Sequence, residues 1–218
     1  MRGYYLGAML LNFLAPETSG QTFTVPVSTE ISERIEKNGV LDHDIIAEQT
    51  KAALDTLRIA NPDKVVTLGG ECSVSAPVFS YLADKYNKYK GDVAIIWIDA
   101  HPDIILPGDD YNGYHAMALT ACMGMGDKDI VGQLPASVPT EAVCLAGLRE
   151  CEYPYIEKRV EELGLTHYSP QQLARAYQPM IDWLGQIKSD DTFRLGRNGS
   201  YRYTRRCRRR PGRRINIE

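Results

Sequence analysis

No run of about 18 consecutive apolar residues occurs in the 218-residue chain, so the sequence offers no candidate for a membrane-spanning helix. The first twenty residues lack a basic stretch followed by an apolar one and a small-residue cleavage site, and the expectation is a soluble, cytoplasmic protein. Cysteines are few and odd in number (Cys72, Cys122, Cys144, Cys151, Cys207) and have no compact framework spacing. That argues against a disulfide-stapled secreted fold and for reduced thiols. No internal repeat and no collagen or coiled-coil period is present. What is present is 44% apolar residues, enough for one α/β domain burying roughly two-thirds of its unfolded surface.

The net charge of −3 conceals an asymmetry. Residues 1–193 carry 15 Lys+Arg against 27 Asp+Glu, a net −12, whereas residues 194–218 carry ten Arg against Glu218 alone, a net +9. The first part is expected to be an α/β domain and the second a disordered, Arg-rich tail, since a run of like charges cannot bury a core. Ten arginines could neutralise phosphates, but only Tyr201 and Tyr203 interleave with them, and no nucleic-acid partner is expected.

From Tyr4 to about Leu184, apolar β-rich runs alternate with helical-period stretches, the pattern of parallel strands joined by helices. Asp44–Ile59 reads as an amphipathic crossover helix ending before Asn61-Pro62. Val65–Leu68, Val93–Ile98 and Ala142–Ala146 read as buried parallel strands. Pro154–Leu163 and Gln171–Leu184 read as helices.

In open parallel sheets, functional groups collect at the carboxyl ends of strands, and three clusters stand at such positions. Asp99-Ala100-His101-Pro102-Asp103 follows a strand, and alternation through extended chain aims Asp99, His101 and Asp103 to one side. Two carboxylates and an imidazole suit a divalent ion such as Mn²⁺, the alternative being a strand-end turn capped by Asp. Gly69-Gly70-Glu71-Cys72-Ser73 also follows a strand, its glycines permitting a sharp turn; Cys72 is either a ligand or a small inert hydrophobe. Gly113-Tyr114-His115 opens an apolar helical stretch from Ala116 to Met123. His115 is either a proton shuttle or a surface histidine at a helix start. His43 and His167 lie in unpatterned polar contexts and are expected at the surface, while Cys122, Cys144 and Cys151 are expected to pack as thiols. Tyr111 and Tyr114 are expected only to cover core.

The chain resembles the ureohydrolases: arginase, agmatinase, formiminoglutamase and relatives. The family's Asp-Ala-His-x-Asp motif is matched in full at residues 99–103, while its Gly-Gly-Asp-His-Ser motif stands here as Gly-Gly-Glu-Cys-Ser at 69–73. The resemblance implies a three-layer α/β/α sandwich around a parallel sheet, arginase/deacetylase-like, and Mn²⁺-dependent hydrolysis of C–N bonds in small cationic guanidino or amidino substrates. It also implies metal ligation by Asp99, His101, Asp103 and Cys72, a proton shuttle at His115, and homo-oligomers, as is frequent in the family. Ile105 and Tyr111-Asn112-Gly113-Tyr114-His115 replace the arginase residues that hold the amino-acid end of arginine, so the substrate-binding residues are left unassigned.

The family's third motif, Asp-x-Asp-x-x-Asp-Pro, would fall near residues 189–209, where the arginine-rich tail stands instead. One legal set of codons for Thr192 through Ser200 and the first base of Tyr201, with degenerate bases chosen to fit, is ACA-TTT-CGA-TTG-GGA-CGT-AAT-GGA-TCC-T. Read one base later, they spell His-Phe-Asp-Trp-Asp-Val-Met-Asp-Pro. The residues are thus compatible with a frameshift near Asp191–Thr192, and the expectation is a non-native tail with the family's last strands missing. The expectation is one bound ion or none, and weak or absent turnover. The alternative is a non-catalytic, degenerate family member that binds a partner and carries a basic tail.

Overall fold

A computed structural model describes residues 2–28, 33–86, 93–149, 151 and 153–189. Helix α1 (Arg2–Leu14) is followed by a small antiparallel ribbon, β1 (Glu36–Lys37) and β2 (Val40–Leu41). The ribbon turns at Asn38-Gly39, both at positive φ, the backbone a two-residue hairpin demands. Helix α2 (His43–Ala60) buries Thr50, Leu54 and Leu57 along one face and ends at left-handed Asn61, just before Pro62. Then follow α3 (Ser75–Tyr86), β3 (Ile95–Ile98), α4 (Ala118–Cys122), α5 (Lys128–Val131), β4 (Val143–Ala146), α6 (Pro154–Glu162), β5 (Thr166–Tyr168), α7 (Pro170–Arg175) and α8 (Gln178–Ser189).

Strands β3, β4 and β5 form a parallel sheet in that order, with Ile95 opposite Val143 and Cys144 opposite Thr166. All four residues of central β4 are buried, so both faces of the sheet are covered there, which is the expected layered α/β arrangement. The core joins Ile95, Trp97, Val143 and Leu145 to Met117 and Leu119 on one connection and to Ile156 and Val160 on α6. Trp97 meets Phe79 of α3 edge to face at 6.1 Å. Each fully buried aliphatic chain here contributes about 1.5–3 kcal/mol.

Two expected elements differ. Val65–Leu68 forms no strand and pairs with none among the described residues, and Val66 is 89% exposed. An apolar β-branched run becomes a strand only where a neighbour takes up its backbone groups. The helix expected over Gln171–Leu184 is two helices, with Ala176 extended between them (φ −161°, ψ 129°). Pro179 explains the break: it has no N–H to bond the Arg175 carbonyl four residues back and its ring clashes with that group, but it suits a first turn, so it sits in the first turn of α8 instead of continuing α7. The expected tail at 194–218 lies outside the described residues.

Candidate metal centre

The carboxyl end of β3 is fixed by Asp99 N–H donating to Ala146 O at 3.2 Å and by Arg149 N–H donating to Ala100 O at 3.0 Å. The chain bends directly after the strand, and Asp103 has a left-handed backbone (φ 48°), which aspartate tolerates better than most residues. The next segment is laced to the His115 connection: Ile105 N–H donates to Ala116 O (2.9 Å), Leu119 N–H to Asp103 O (3.1 Å), and Thr120 Oγ1 to Ile105 O (2.9 Å). This lacing sets Asp103 and His115 on one rigid unit.

The glycine-rich segment approaches from the other side. Glu71 caps the 3-10 turn Cys72–Val74, accepting from Ser73 N–H at 3.0 Å, and also accepts from the Ser73 hydroxyl. Neither Gly69 nor Gly70 has a positive φ; both are required by space. A Cβ at Gly70 would lie 2.5 Å from the Tyr4 carbonyl oxygen of α1, and one at Gly69 would lie 2.6 Å from Val74. The Cys72–Val74 turn packs against the Tyr114–Met117 turn that carries His115.

One ligand atom each from Cys72, Asp99 and Asp103 lies within 4.8 Å of the others, with Cys72 Sγ 3.8 Å from Asp99 Oδ2. His101 is outside this trio. Its ring is more than half exposed, its Nδ1 stands 3.7 Å from Asp99 Oδ1, and its backbone N–H donates to the same oxygen. The bend past β3 ends the period-two alternation that would have aimed all three motif side chains together. His115 is half-buried, its Nε2 hydrogen-bonded to the Tyr111 hydroxyl at 3.1 Å, with the rings of Tyr111 and Tyr4 edge-on at 5.4 and 6.2 Å. Tyr111 and Tyr4 thus belong to the site. Tyr111 stands four residues before His115, a spacing without helical context, and nothing in the sequence marks Tyr4.

Asp103 is 7% exposed, and its Oδ2 is buried without a hydrogen-bond partner. Burial pushes its carboxyl up to about 6; the Cys72 thiol opposes this, and the charge of Asp99 adds to it. Burial also drives the Cys72 thiol well above its usual range, with Asp103, Asp99 and Glu71 adding to the effect, so the thiol is neutral. Two carboxylates, one with an orphaned buried oxygen, fit a single divalent ion with a preference for oxygen donors, and the soft sulfur contributes least.

His43 is corrected: it is buried, 2% exposed, with Nδ1 2.8 Å from Asp44 Oδ1 and Nε2 2.8 Å from Asp127 Oδ1. Its partner Asp127 caps α5 through the N–H groups of Asp129 and Ile130 and lies 84 residues away in sequence, so local context gave no sign of the pairing. His167 is exposed, and Cys122 and Cys144 are buried, as expected.

The family model described as Arginase family matches residues 19–192. The chain belongs to the arginase family. The arginase of Staphylococcus aureus (strain MRSA252) is 28% identical over 120 residues, covering 54% of this chain and 38% of that one. The arginase of Coccidioides immitis (strain RS) is 32% identical over 113 residues, covering 48% and 34%. Among solved structures, the arginase from Bacillus caldovelox superposes with a TM-score of 0.62 at 22% identity, over 74% of this chain and 56% of that one. Entamoeba histolytica arginase, solved with L-ornithine, gives 0.58 at 18% identity, over 85% and 64%. These structural likenesses establish the arginase α/β fold. The chain spans about four-tenths or less of the length of these curated relatives. No described helix is long and apolar enough to cross a membrane.

Proposed function

We propose that this arginase-family chain is a metal-dependent C–N hydrolase in design, acting on small cationic guanidino or amidino substrates, and that this copy holds one Mn²⁺ with weak or absent turnover. The observation that carries the reading is the orphaned, buried Asp103 oxygen beside Asp99 and Cys72. Asp99 and Asp103 would hold the ion, with the Cys72 thiol alongside and His101 within reach of Asp99. Bound ions of this kind lower the pKa of water from 15.7 toward about 7 and so supply hydroxide at neutral pH.

The chain's own residues do the rest. His115, held at Nε2 by the Tyr111 hydroxyl, passes a proton to the leaving amine. Tyr4 and Tyr111 flank the imidazole edge-on. The weak turnover follows from donor count: the described group offers two carboxylates and a neutral thiol, short of what two ions need.

The test is an assay of the purified chain with Mn²⁺ against arginine, agmatine and formiminoglutamate. One ion bound per chain with little or no urea or formamide released supports the reading. Brisk metal-dependent release contradicts the weak-turnover half, and no ion bound contradicts the metal half.

A further inference from the structure

Helix α1 meets the body of the protein along one narrow line. Tyr4 lies edge-on to His115 at 6.2 Å and its backbone abuts Gly70. Ala8, one turn on, is half-buried, and every other described side chain of α1 is exposed. Away from that line, Gly3, Leu6, Gly7, Leu10, Phe13 and Leu14 follow the i, i+3, i+4, i+7, i+10, i+11 spacing that gathers residues on one helix face. The four large side chains are 56–82% exposed, and a Cβ at Gly3 or Gly7 would meet nothing within 4 Å. No charged residue occurs from Gly3 to Pro16. A contiguous apolar face of this kind marks an interaction site, and none of the described residues covers it.

We infer that this face pairs with the same face of a second copy of the chain, the two α1 helices lying antiparallel about a two-fold axis. Three observations name the occupant. The first is spacing: antiparallel pairing centred between Gly7 and Leu10 sets Leu10 against the partner's Gly7 and Leu14 against the partner's Gly3. Each leucine then enters the space that a missing side chain leaves. The second is charge. A two-fold contact sets a surface against itself, and residues 1–193 carry a net −12, so most faces of this domain would oppose like charge to like; this face has no charge to oppose. The third is area. With a leucine or phenylalanine residue taken as roughly 200 Å², the four side chains expose on the order of 500 Å² per copy, and two such faces closed together approach the roughly 1,000 Å² of a specific interface. The pairing does not depend on the metal reading above.

The test is sedimentation equilibrium of the full chain over micromolar concentrations, in low and in high salt, with flotation on phosphatidylcholine vesicles run beside it. Three variants are compared with the wild type. Leu10→Glu puts charge into the face, Gly7→Leu fills the space that the partner's Leu10 enters, and Asn12→Glu puts the same charge on the far side of α1. Gly7→Leu adds no charge, favours helix and meets nothing within 4 Å, so it tests the packing even if circular dichroism shows that Leu10→Glu loses helix. The expected result is a wild-type dimer in both salts, a dissociation constant at least tenfold higher for Leu10→Glu and Gly7→Leu, and one within about twofold for Asn12→Glu. A wild-type chain that stays monomeric overturns the inference, and if it floats with the vesicles the face belongs to a membrane surface instead. A dimer that Gly7→Leu leaves intact overturns it, as does equal weakening by Asn12→Glu. Association lost in high salt also overturns it, because salt screens contacts between charges and not an uncharged one.

Discussion

Replacing His43 by alanine should be among the most damaging single changes outside the metal centre. The ring is 2% exposed and each nitrogen stands 2.8 Å from a carboxylate oxygen, Asp44 on one side and Asp127 on the other, with Asp129 at 3.7 Å and Lys37 bonded to Asp44. An imidazole placed between two acceptors satisfies both only as the imidazolium, with a proton on each nitrogen. Burial by itself lowers the pKa of His43, but hydrogen bonds to Asp44 and Asp127 and the charge of Asp127 outweigh it, and the net direction is upward. Removing the ring leaves Asp127, whose side chain is 5% exposed, without its cationic partner while it still caps α5 and accepts from Asn38. Breaking a buried pair in this way costs about 3–5 kcal/mol, a large share of the 5–15 kcal/mol typical of a domain. At about 2–4 °C per kcal/mol, the melting temperature should fall by roughly 6–20 °C. Urea and thermal unfolding of the wild type and the His43→Ala variant measure this. Because the folded pKa is raised, the clamp's contribution is complete below the unfolded value of about 6.5 and is lost as pH rises through the folded value. The wild type should therefore lose more stability than the variant as pH rises above about 6.5. A loss under about 1 kcal/mol with parallel pH profiles would refute the clamp.

Gly70→Ala should cost about 1–3 kcal/mol and free α1 to protease, because its Cβ would sit 2.5 Å from the Tyr4 oxygen; Gly185→Ala, in α8 with nothing within 4 Å, should be neutral or gain up to about 1 kcal/mol. Equal effects by unfolding and limited proteolysis would count against the packing argument. Arg159 donates to both Asp109 carboxylate oxygens and to Ile104 O, and this guanidinium holds the Asp109 carboxyl below its usual range. Arg159→Met should cost about 1–3 kcal/mol at neutral pH. A depressed carboxyl contributes above its unfolded pKa of about 3.9 and loses that contribution as pH falls through the folded value, so the gap to wild type should narrow in acid. Cys72→His, which exchanges a neutral thiol for an imidazole, should tighten Mn²⁺ binding about tenfold by dialysis; unchanged affinity would place Cys72 outside the coordination shell.

The sheet was legible where strands are apolar on both sides: the runs ending at Ile98 and Ala146 match β3 and β4. Val65–Leu68 has the same composition, but strand formation depends on a partner that sequence pattern cannot supply. At the candidate site, the structure brings Asp99 and Asp103 of the motif together with Cys72, which follows Gly69-Gly70. His101 reads as an equal member of that motif, but after the backbone bend it lies outside the trio, with Nδ1 3.7 Å from Asp99 Oδ1. Tyr4, Tyr111 and the His43–Asp127 pair depend on contacts across the fold, with the last spanning 84 residues, and no local pattern announces them.

Titration of the purified, metal-free chain with Mn²⁺, followed by electron paramagnetic resonance of free ion beside an Asp103→Asn variant, tests the central claim most directly. The account predicts one ion taken up per wild-type chain and affinity at least tenfold lower in the variant. Two ions per chain, no uptake, or a variant that binds as tightly as wild type would contradict it.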